Sequence, residues 1–326
     1  MNGAIRKTNF MVDEQLCIGC GVCIDACPMK ILKVEEGICV IEKDFICLEC
    51  GSCLRNCPED AISIEGLSEK ESSSFQDAIG KERIEESLHF TPILKKLTAL
   101  LINELNLTQS FDYKGMDVRE FDDYKIEGQK CYARFYKTDK VEKITISSTN
   151  FFGKMTADVL GISPSPEYDI PYFIVDWDES EDHIFFLCDL TPSDDPGRNL
   201  EYLATYLYNP LDDLYQKYCE IPGLKNSLFH WVRAIHSPYI ITGTIEKNPR
   251  ENVAMLFNCA VDYLKAWIKI HKEAKPKDPH SDYMKIVHAR RKTVSELYHE
   301  NDPGGGPMKK FLGEVRAKKV LTMLLP

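Results

Sequence analysis

Cys17-Ile18-Gly19-Cys20-Gly21-Val22-Cys23-Ile24-Asp25-Ala26-Cys27-Pro28 returns 30 positions later as Cys47-Leu48-Glu49-Cys50-Gly51-Ser52-Cys53-Leu54-Arg55-Asn56-Cys57-Pro58. Iron takes soft thiolate ligands, and three cysteines at x2 spacing in a tight loop grip three corners of one [4Fe-4S] cube. The fourth cysteine is poorly placed to close the same cube and ligates the other one. The spacing therefore predicts two clusters, one held by Cys17, Cys20, Cys23 and Cys57 and the other by Cys47, Cys50, Cys53 and Cys27. Gly19, Gly21 and Gly51 suit loops that bring bare backbone N–H groups against inorganic sulfide. Zinc takes its four ligands as two spaced pairs, and disulfides belong to a secreted context for which no signal peptide is visible.

Between and after the runs, Ile38 to Ile41 and Ala61 to Ile64 read as short strands. The repetition predicts a pseudo-twofold sandwich of two hairpins and two short helices around the clusters. Residues 1 to 66 resemble the bacterial-type two-cluster ferredoxins, which implies a module that moves single electrons.

The length of 326 residues and a hydrophobic fraction of 44% allow about two domains with ordinary cores. A formal charge of −11 argues against nucleic acid or an anionic membrane surface as partner. The remaining cysteines, Cys39, Cys131, Cys188, Cys219 and Cys259, lie in apolar neighbourhoods and read as small buried residues. No apolar run approaches the roughly 18 residues of a membrane span. With thiols in this number, a soluble protein of a reducing compartment, the cytoplasm, is expected.

After Gly66 the composition turns to Ser-Glu-Lys-Glu-Ser-Ser-Ser, and residues 67–85 read as a polar linker. As flexible coil its ends would stand about 25 Å apart. The second domain, residues 86–326, opens with Thr91-Pro92 before Leu94, Leu97, Leu101 and Leu105 at helical spacing. From Lys125 to Pro192 the period changes to that of strands with short connections, which predicts a largely antiparallel sheet. After Pro192 helices are expected at about 200–218, 253–268, 282–300 and 307–325. The fold class is α+β: the ferredoxin-like module, then an α/β/α sandwich with a central antiparallel sheet. No GxGxxG or Walker loop appears, and neither flavin nor nicotinamide is expected.

Three stretches carry a second resemblance. The first is Ile170-Pro171-Tyr172-Phe173-Ile174-Val175-Asp176 with Cys188-Asp189-Leu190-Thr191-Pro192. The second is Trp231-Val232-Arg233 with Ser237-Pro238-Tyr239. The third, and most specific, is Asn301-Asp302-Pro303-Gly304-Gly305-Gly306-Pro307-Met308-Lys309-Lys310-Phe311-Leu312-Gly313-Glu314. Together they resemble the ferredoxin-dependent bilin reductases. The resemblance implies a linear tetrapyrrole held between the sheet and the C-terminal helices, reduced one electron and one proton at a time through bilin radicals. It matches Asp176, Asn301 and Asp302 to the family's pocket residues. The member best known for a four-electron reduction carries a histidine about 17 residues before the strand aspartate and a glutamate before that. Here Val159 stands in that neighbourhood, with no His or Glu between Glu142 and Glu167.

Read without the family, Asp176 after a continuously apolar strand is either an inward acid with a raised pKa, suited to proton donation, or a strand-end carboxylate facing water before Trp177-Asp178-Glu179. Arg233, Lys309 and Lys310, with Arg290 and Arg291, are candidates for bilin propionates because guanidinium and ammonium groups suit carboxylates. His230, His236 and His299 read as ordinary polar residues and Trp267 as core. The whole chain reads as a self-sufficient reductase of a biliverdin-like tetrapyrrole, fed by an upstream low-potential electron donor. Two rivals stay open: a reductase of another open-chain tetrapyrrole, such as a chlorophyll catabolite or an anaerobic haem breakdown product, and a non-catalytic bilin-binding electron relay.

Overall fold

The computed structural model describes residues 10–27, 31–41, 52–55, 57–64, 91–117, 124–126, 129–151, 155–226, 230–302 and 314–324. Of the positions singled out above, Cys47, Cys50, the linker 67–85, Lys309, Lys310 and the segment from Pro303 to Gly313 lie outside the described residues. The chain divides into two compact units, Met1–Leu88 with Asn248–Asn258, and His89–Lys247 with Cys259–Pro326.

In the first unit β1 (Phe10–Val12) pairs antiparallel with β4 (Ile62–Ile64), and β2 (Leu32–Glu35) with β3 (Ile38–Ile41). Helices α1 (Val22–Ala26) and α2 (Ser52–Arg55) each carry the third cysteine of a run. The two expected hairpins are therefore one hairpin and one long-range pair. Only β2 and β3 are joined by a tight turn, in which Glu36 and Gly37 both take positive φ, 51° and 83°. Strands β1 and β4 instead close the module by joining its two ends. Cys23, Cys27, Cys39 and Cys53 are buried among Ile31, Leu32, Ile62 and Ile64.

The second unit is built on a sheet in the order β14-β15-β13-β12-β11-β10-β9-β5, with β8 also on β9, and every pairing is antiparallel. Its strands are β5 (Thr108–Gln109), β8 (Tyr124–Ile126), β9 (Gln129–Lys137), β10 (Val141–Phe151), β11 (Met155–Pro164), β12 (Phe173–Ser180), β13 (His183–Asp189), β14 (Lys225–Asn226) and β15 (Ile241–Glu246); β6 (Asp112–Tyr113) and β7 (Met116–Asp117) pair with each other. Helices are α3 (Pro92–Glu104), α4 (Leu200–Tyr202), a π-helical stretch Leu203–Tyr208, α5 (Asn209–Tyr218), α6 (His230–Ile235), α7 (Arg250–Glu273), α8 (Asp282–Asn301) and α9 (Glu314–Leu324). Between the helices expected at about 200–218 and 253–268 the chain adds β14 and β15, which extend the sheet. Ile241, Gly243 and Ile245 on β15 are buried, with half-buried Thr242 and Thr244 between them, the period-2 pattern of a strand. Gly243 lets β14 approach, since a Cβ there would stand 2.3 Å from the Lys225 carbonyl oxygen.

Strand register sorts the sheet into two faces. Ile146, Leu160, Val175 and Cys188 lie in one row, on the face where α3 contacts β11 and Cys259 of α7 meets the Cys188 thiol. Trp267, fully buried as expected for core, donates from its indole N–H to the Pro171 carbonyl at 2.9 Å. On the opposite face Ile174 and Leu187 pack against Val232 and Ile235 of α6, Val294 and Tyr298 of α8 and Leu321 of α9. The α/β/α layering follows: helices on both faces of an antiparallel sheet. The C-terminus of α9 is tied to the sheet where its last carbonyls need donors. Thr145 Oγ1 donates to the Met323 carbonyl at 3.0 Å and Lys143 Nζ to that of Thr322 at 3.4 Å.

Candidate active site

Strand β10 reads Ile144-Thr145-Ile146-Ser147, an alternation that normally turns its hydroxyls to water. Here both faces are covered, and Thr145, Ser147 and Thr149 are buried. Along the next strands their row continues: Ser147 lies opposite Val159, Val159 opposite Asp176, and Asp176 opposite Leu187. Asp176 is thus an inward acid on the face covered by α6, α8 and α9. Asp178, two residues on, shares that face. The water-facing alternative for this stretch is corrected: Asp176 Oδ1, Asp178 Oδ1 and Thr242 Oγ1 are buried with no hydrogen-bond partner. A folded domain leaves few such orphans, and several together mark a place where a polar ligand belongs.

Burial holds the Asp176 pKa well above the carboxylate range, and the charges of Asp178 and Asp302 and a shared hydrogen bond with Asp178 raise it further. Burial likewise pushes Asp178 up to about 6, against the lowering effect of its bond to Asp176. The two carboxyls thus act on each other, and burial favours the protonated form of both. Asp302 is the C-cap of α8, its N–H donating to the Tyr298 carbonyl at 2.9 Å. Asn301 is not brought to the pair: it is exposed, and its amide donates to the Leu297 carbonyl at 3.0 Å.

Beside these acids runs a buried polar chain. Asp189 Oδ2 lies 2.8 Å from His236 Nδ1, and His236 Nε2 lies 2.7 Å from the Tyr298 hydroxyl. His236 is therefore no ordinary polar residue; its side chain is fully buried. Spacing in the sequence offers no sign of this chain, since its members stand 47 and 62 residues apart.

The basic residues divide differently from expectation. Arg290 donates to the Pro192 and Ile235 carbonyls, both at 3.1 Å. Arg291 donates to Ser193 Oγ and to the carbonyls of Ser165 and Tyr168. Both tie α8 to neighbouring loops and to the end of α6, mostly through backbone carbonyls. Arg233 is exposed. Unforeseen is Lys143, buried, 4.9 Å over the Tyr113 ring, its pKa pushed down to about 7 by burial and the charge of Lys114. Lys143 and Lys318 in turn lower the pKa of His299 after burial has done so.

In the first unit Cys17, Cys20, Cys23 and Cys57 line one pocket with Gly19, Gly21, Cys39, Pro58 and Ile62. This gathers the cysteines assigned to one cube, the fourth arriving from the second run. Donor chemistry and backbone both fit the group: soft thiolates face a shared space, and Gly19 (φ 65°) passes so near Gly37 that a Cβ would lie 2.5 Å from its carbonyl oxygen. The Cys39 N–H points at Cys17 Sγ at 3.5 Å and that of Ala61 at Cys57 Sγ at 3.3 Å. Such bonds stabilise thiolate ligands. Cys27 and Cys53 are buried beneath. Among the described residues no three His, Cys, Asp or Glu side chains converge closely enough for a single ion.

The sequence profile described as ferredoxin-dependent bilin reductase matches residues 117–325. The chain belongs to the ferredoxin-dependent bilin reductase family. Two profiles of 4Fe-4S binding domains match residues 10–33 and 47–61. As a member of this family the protein is an oxidoreductase with iron–sulfur binding domains at its N-terminus. Among solved structures it is similar to phytochromobilin synthase from tomato in complex with biliverdin, with TM-score 0.59 and 18% identity over 73% of this chain and 80% of that one. At that identity the likeness speaks for the fold. No curated protein matches. No helix among the described residues is long and apolar enough to cross a membrane. Val159, singled out above, is the direct partner of Asp176 on β11.

Proposed function

We propose that this bilin reductase reduces a biliverdin-like linear tetrapyrrole by two electrons and two protons per double bond, supplied with electrons by two [4Fe-4S] clusters in its own residues 1–66. When bound, the clusters supply single electrons at low potential. The observation that carries the reading is the acid group: Asp176 and Asp178 on the sheet, each with a buried carboxyl oxygen left without a hydrogen-bond partner, and Asp302 at the end of α8, whose charge acts on both. An electron added to a conjugated tetrapyrrole makes it a strong base, and in a site that excludes water the proton must come from a positioned acid. Asp176, whose burial favours the protonated form, is that acid, with Asp178 beside it on the strand and Asp302 coming from the end of α8.

Cys17, Cys20, Cys23 and Cys57 would hold one cube, and Cys47, Cys50, Cys53 and Cys27 the other. The covalent connection through residues 67–85 gives this donor an effective concentration of about millimolar order toward the reductase of residues 86–326, so that a separate ferredoxin is unnecessary. Lys143, Lys318 and His299 offer a basic wall for a propionate, whose charge would restore that of Lys143. Anaerobic incubation with biliverdin and a chemical reductant, followed by absorbance spectra and product chromatography, tests the reading. Reduced bilin is expected; bound biliverdin whose spectrum is unchanged after the clusters are reduced would sink it in favour of a bilin-binding relay.

A further inference from the structure

Two protons are needed for each two-electron reduction, and the site described so far holds one ready donor. The Asp189–His236–Tyr298 chain lies on the same sheet face. Asp189 is paired with Ile174, two residues before Asp176, and Leu187, two before Asp189, is paired with Asp176. Asp189 sits at 0% exposure and accepts from Thr191 Oγ1 at 2.9 Å, Ser237 N at 3.0 Å, Ser237 Oγ at 2.5 Å and His236 Nδ1 at 2.8 Å. Four donors on one carboxylate orient it and fix a proton on Nδ1, leaving Nε2 to face the Tyr298 hydroxyl. Tyr298 packs its ring against Ile174 and Leu187, which flank Asp176 along and across the sheet. Its hydroxyl lies within the fields of both Asp176 and Asp302.

Structure alone does not require this arrangement. A buried Asp–His–Tyr line costs desolvation that an apolar trio of the same volume would avoid. Its tyrosine end belongs to the packed cluster that holds Ile174 and Leu187, the two residues flanking Asp176. The other groups facing His236 are Thr191, Ser237 and, on the neighbouring Ile235 carbonyl, Arg290.

We propose that Asp189, His236 and Tyr298 form a proton store that supplies the second proton of each two-electron reduction to Asp176. The proposal rests on the reading of this site as a bilin reductase site. In the charged store His236 carries protons on both nitrogens, balanced by Asp189. Asp176 gives its proton to a tetrapyrrole carbon after the first electron and becomes a carboxylate. The Tyr298 hydroxyl then passes its proton to Asp176 through one bridging water while its oxygen takes the Nε2 proton of the imidazolium. His236 ends neutral with Nδ1–H still on Asp189, Tyr298 is unchanged, and Asp176 is ready to protonate the product of the second electron. Substrate gains two electrons from the clusters and two protons, and water recharges His236 when product leaves.

Tyr298→Phe keeps the ring and removes only the hydroxyl. In anaerobic single turnover of the full chain with biliverdin, we expect its dissociation constant within about twofold of wild type and an unchanged first protonation. The second should slow by about 100-fold or more, with an EPR-visible, once-protonated radical building up. His236→Gln should do the same. A wild-type second step in Tyr298→Phe overturns the proposal, as does a defect confined to binding. Side-chain ¹⁵N NMR of histidine-labelled protein provides an arm independent of turnover: two protonated ring nitrogens at His236 in the resting state support the store, and a single one between pH 6 and 8 overturns it. If wild type reduces no bilin, the functional reading fails by itself while the NMR arm still decides whether the charged store exists.

Discussion

Asp158, on the reverse face of the sheet from Asp176, provides a measurement of the buried acid chemistry that needs no substrate. It is fully buried, and neither carboxylate oxygen has a hydrogen-bond partner. Burial, partly offset by Ser148 and reinforced by the charges of Glu179 and Asp178, raises its pKa from 3.8 to about 8. The folded state therefore binds this proton more tightly than the unfolded chain. Below about pH 4 both states are protonated and Asp158 makes no difference; through the window from about 4 to 8 stability falls as pH rises, and above 8 the full loss is present. At about 1.4 kcal/mol per pKa unit the upper limit of the loss is about 6 kcal/mol, and water penetration brings the expectation to about 2–3 kcal/mol. Asp158→Asn cannot ionise but buries an amide without partners, a cost of about 1–3 kcal/mol at every pH. Variant and wild type should thus cross, with wild type the more stable at pH 5 and the variant the more stable at pH 9. Urea unfolding of the intact protein followed by tryptophan fluorescence reads this out, because Trp177, Trp231 and Trp267 all lie in the second unit. Slopes from Asp176 and Asp178 are common to both proteins apart from their charge coupling to Asp158, which belongs to the difference being read. A difference that stays constant from pH 5 to pH 9 would refute the burial of an unpartnered carboxyl at this position.

Asp176→Asn and Asp302→Asn should leave bilin binding nearly intact and lower turnover by about two to four orders of magnitude, with a bilin radical accumulating in stopped-flow and EPR; near-native turnover in both removes these carboxylates from the mechanism. Cys57→Ala should damage the cluster of Cys17, Cys20 and Cys23, leaving about four of eight irons; loss of the Cys47 cluster instead, read by EPR and iron analysis, contradicts the crossed ligation. Lys143→Met should weaken biliverdin binding by about tenfold at pH 7 while leaving the cluster spectra alone, and equal affinity in a titration would take Lys143 out of the propionate wall.

Ligand spacing in a loop is set by covalent geometry within a dozen residues, so the two cysteine runs could be read for iron–sulfur chemistry without any tertiary information. Period-2 and helical patterns likewise showed an antiparallel sheet between helices, and the stretch ending in Asp176 stood out because a continuously apolar strand is covered on both faces. The pattern failed at β15, where one short strand sits among helices and its Ile-Thr-Gly-Thr-Ile run is too brief to outweigh its surroundings. It failed again at Arg290 and Arg291, basic residues whose partners are carbonyls on distant loops. That Asp176 and Asp178 would each turn a carboxyl oxygen away from water depended on α6, α8 and α9 covering a face whose hydroxyls resemble a solvent face. The Asp189–His236–Tyr298 chain and the basic group around Lys143 belong wholly to the tertiary structure. Their members come from β13, the loop after α6, α8, β10 and α9, and hydrogen bonds and desolvation act through space, over a few ångströms that no spacing along the chain encodes.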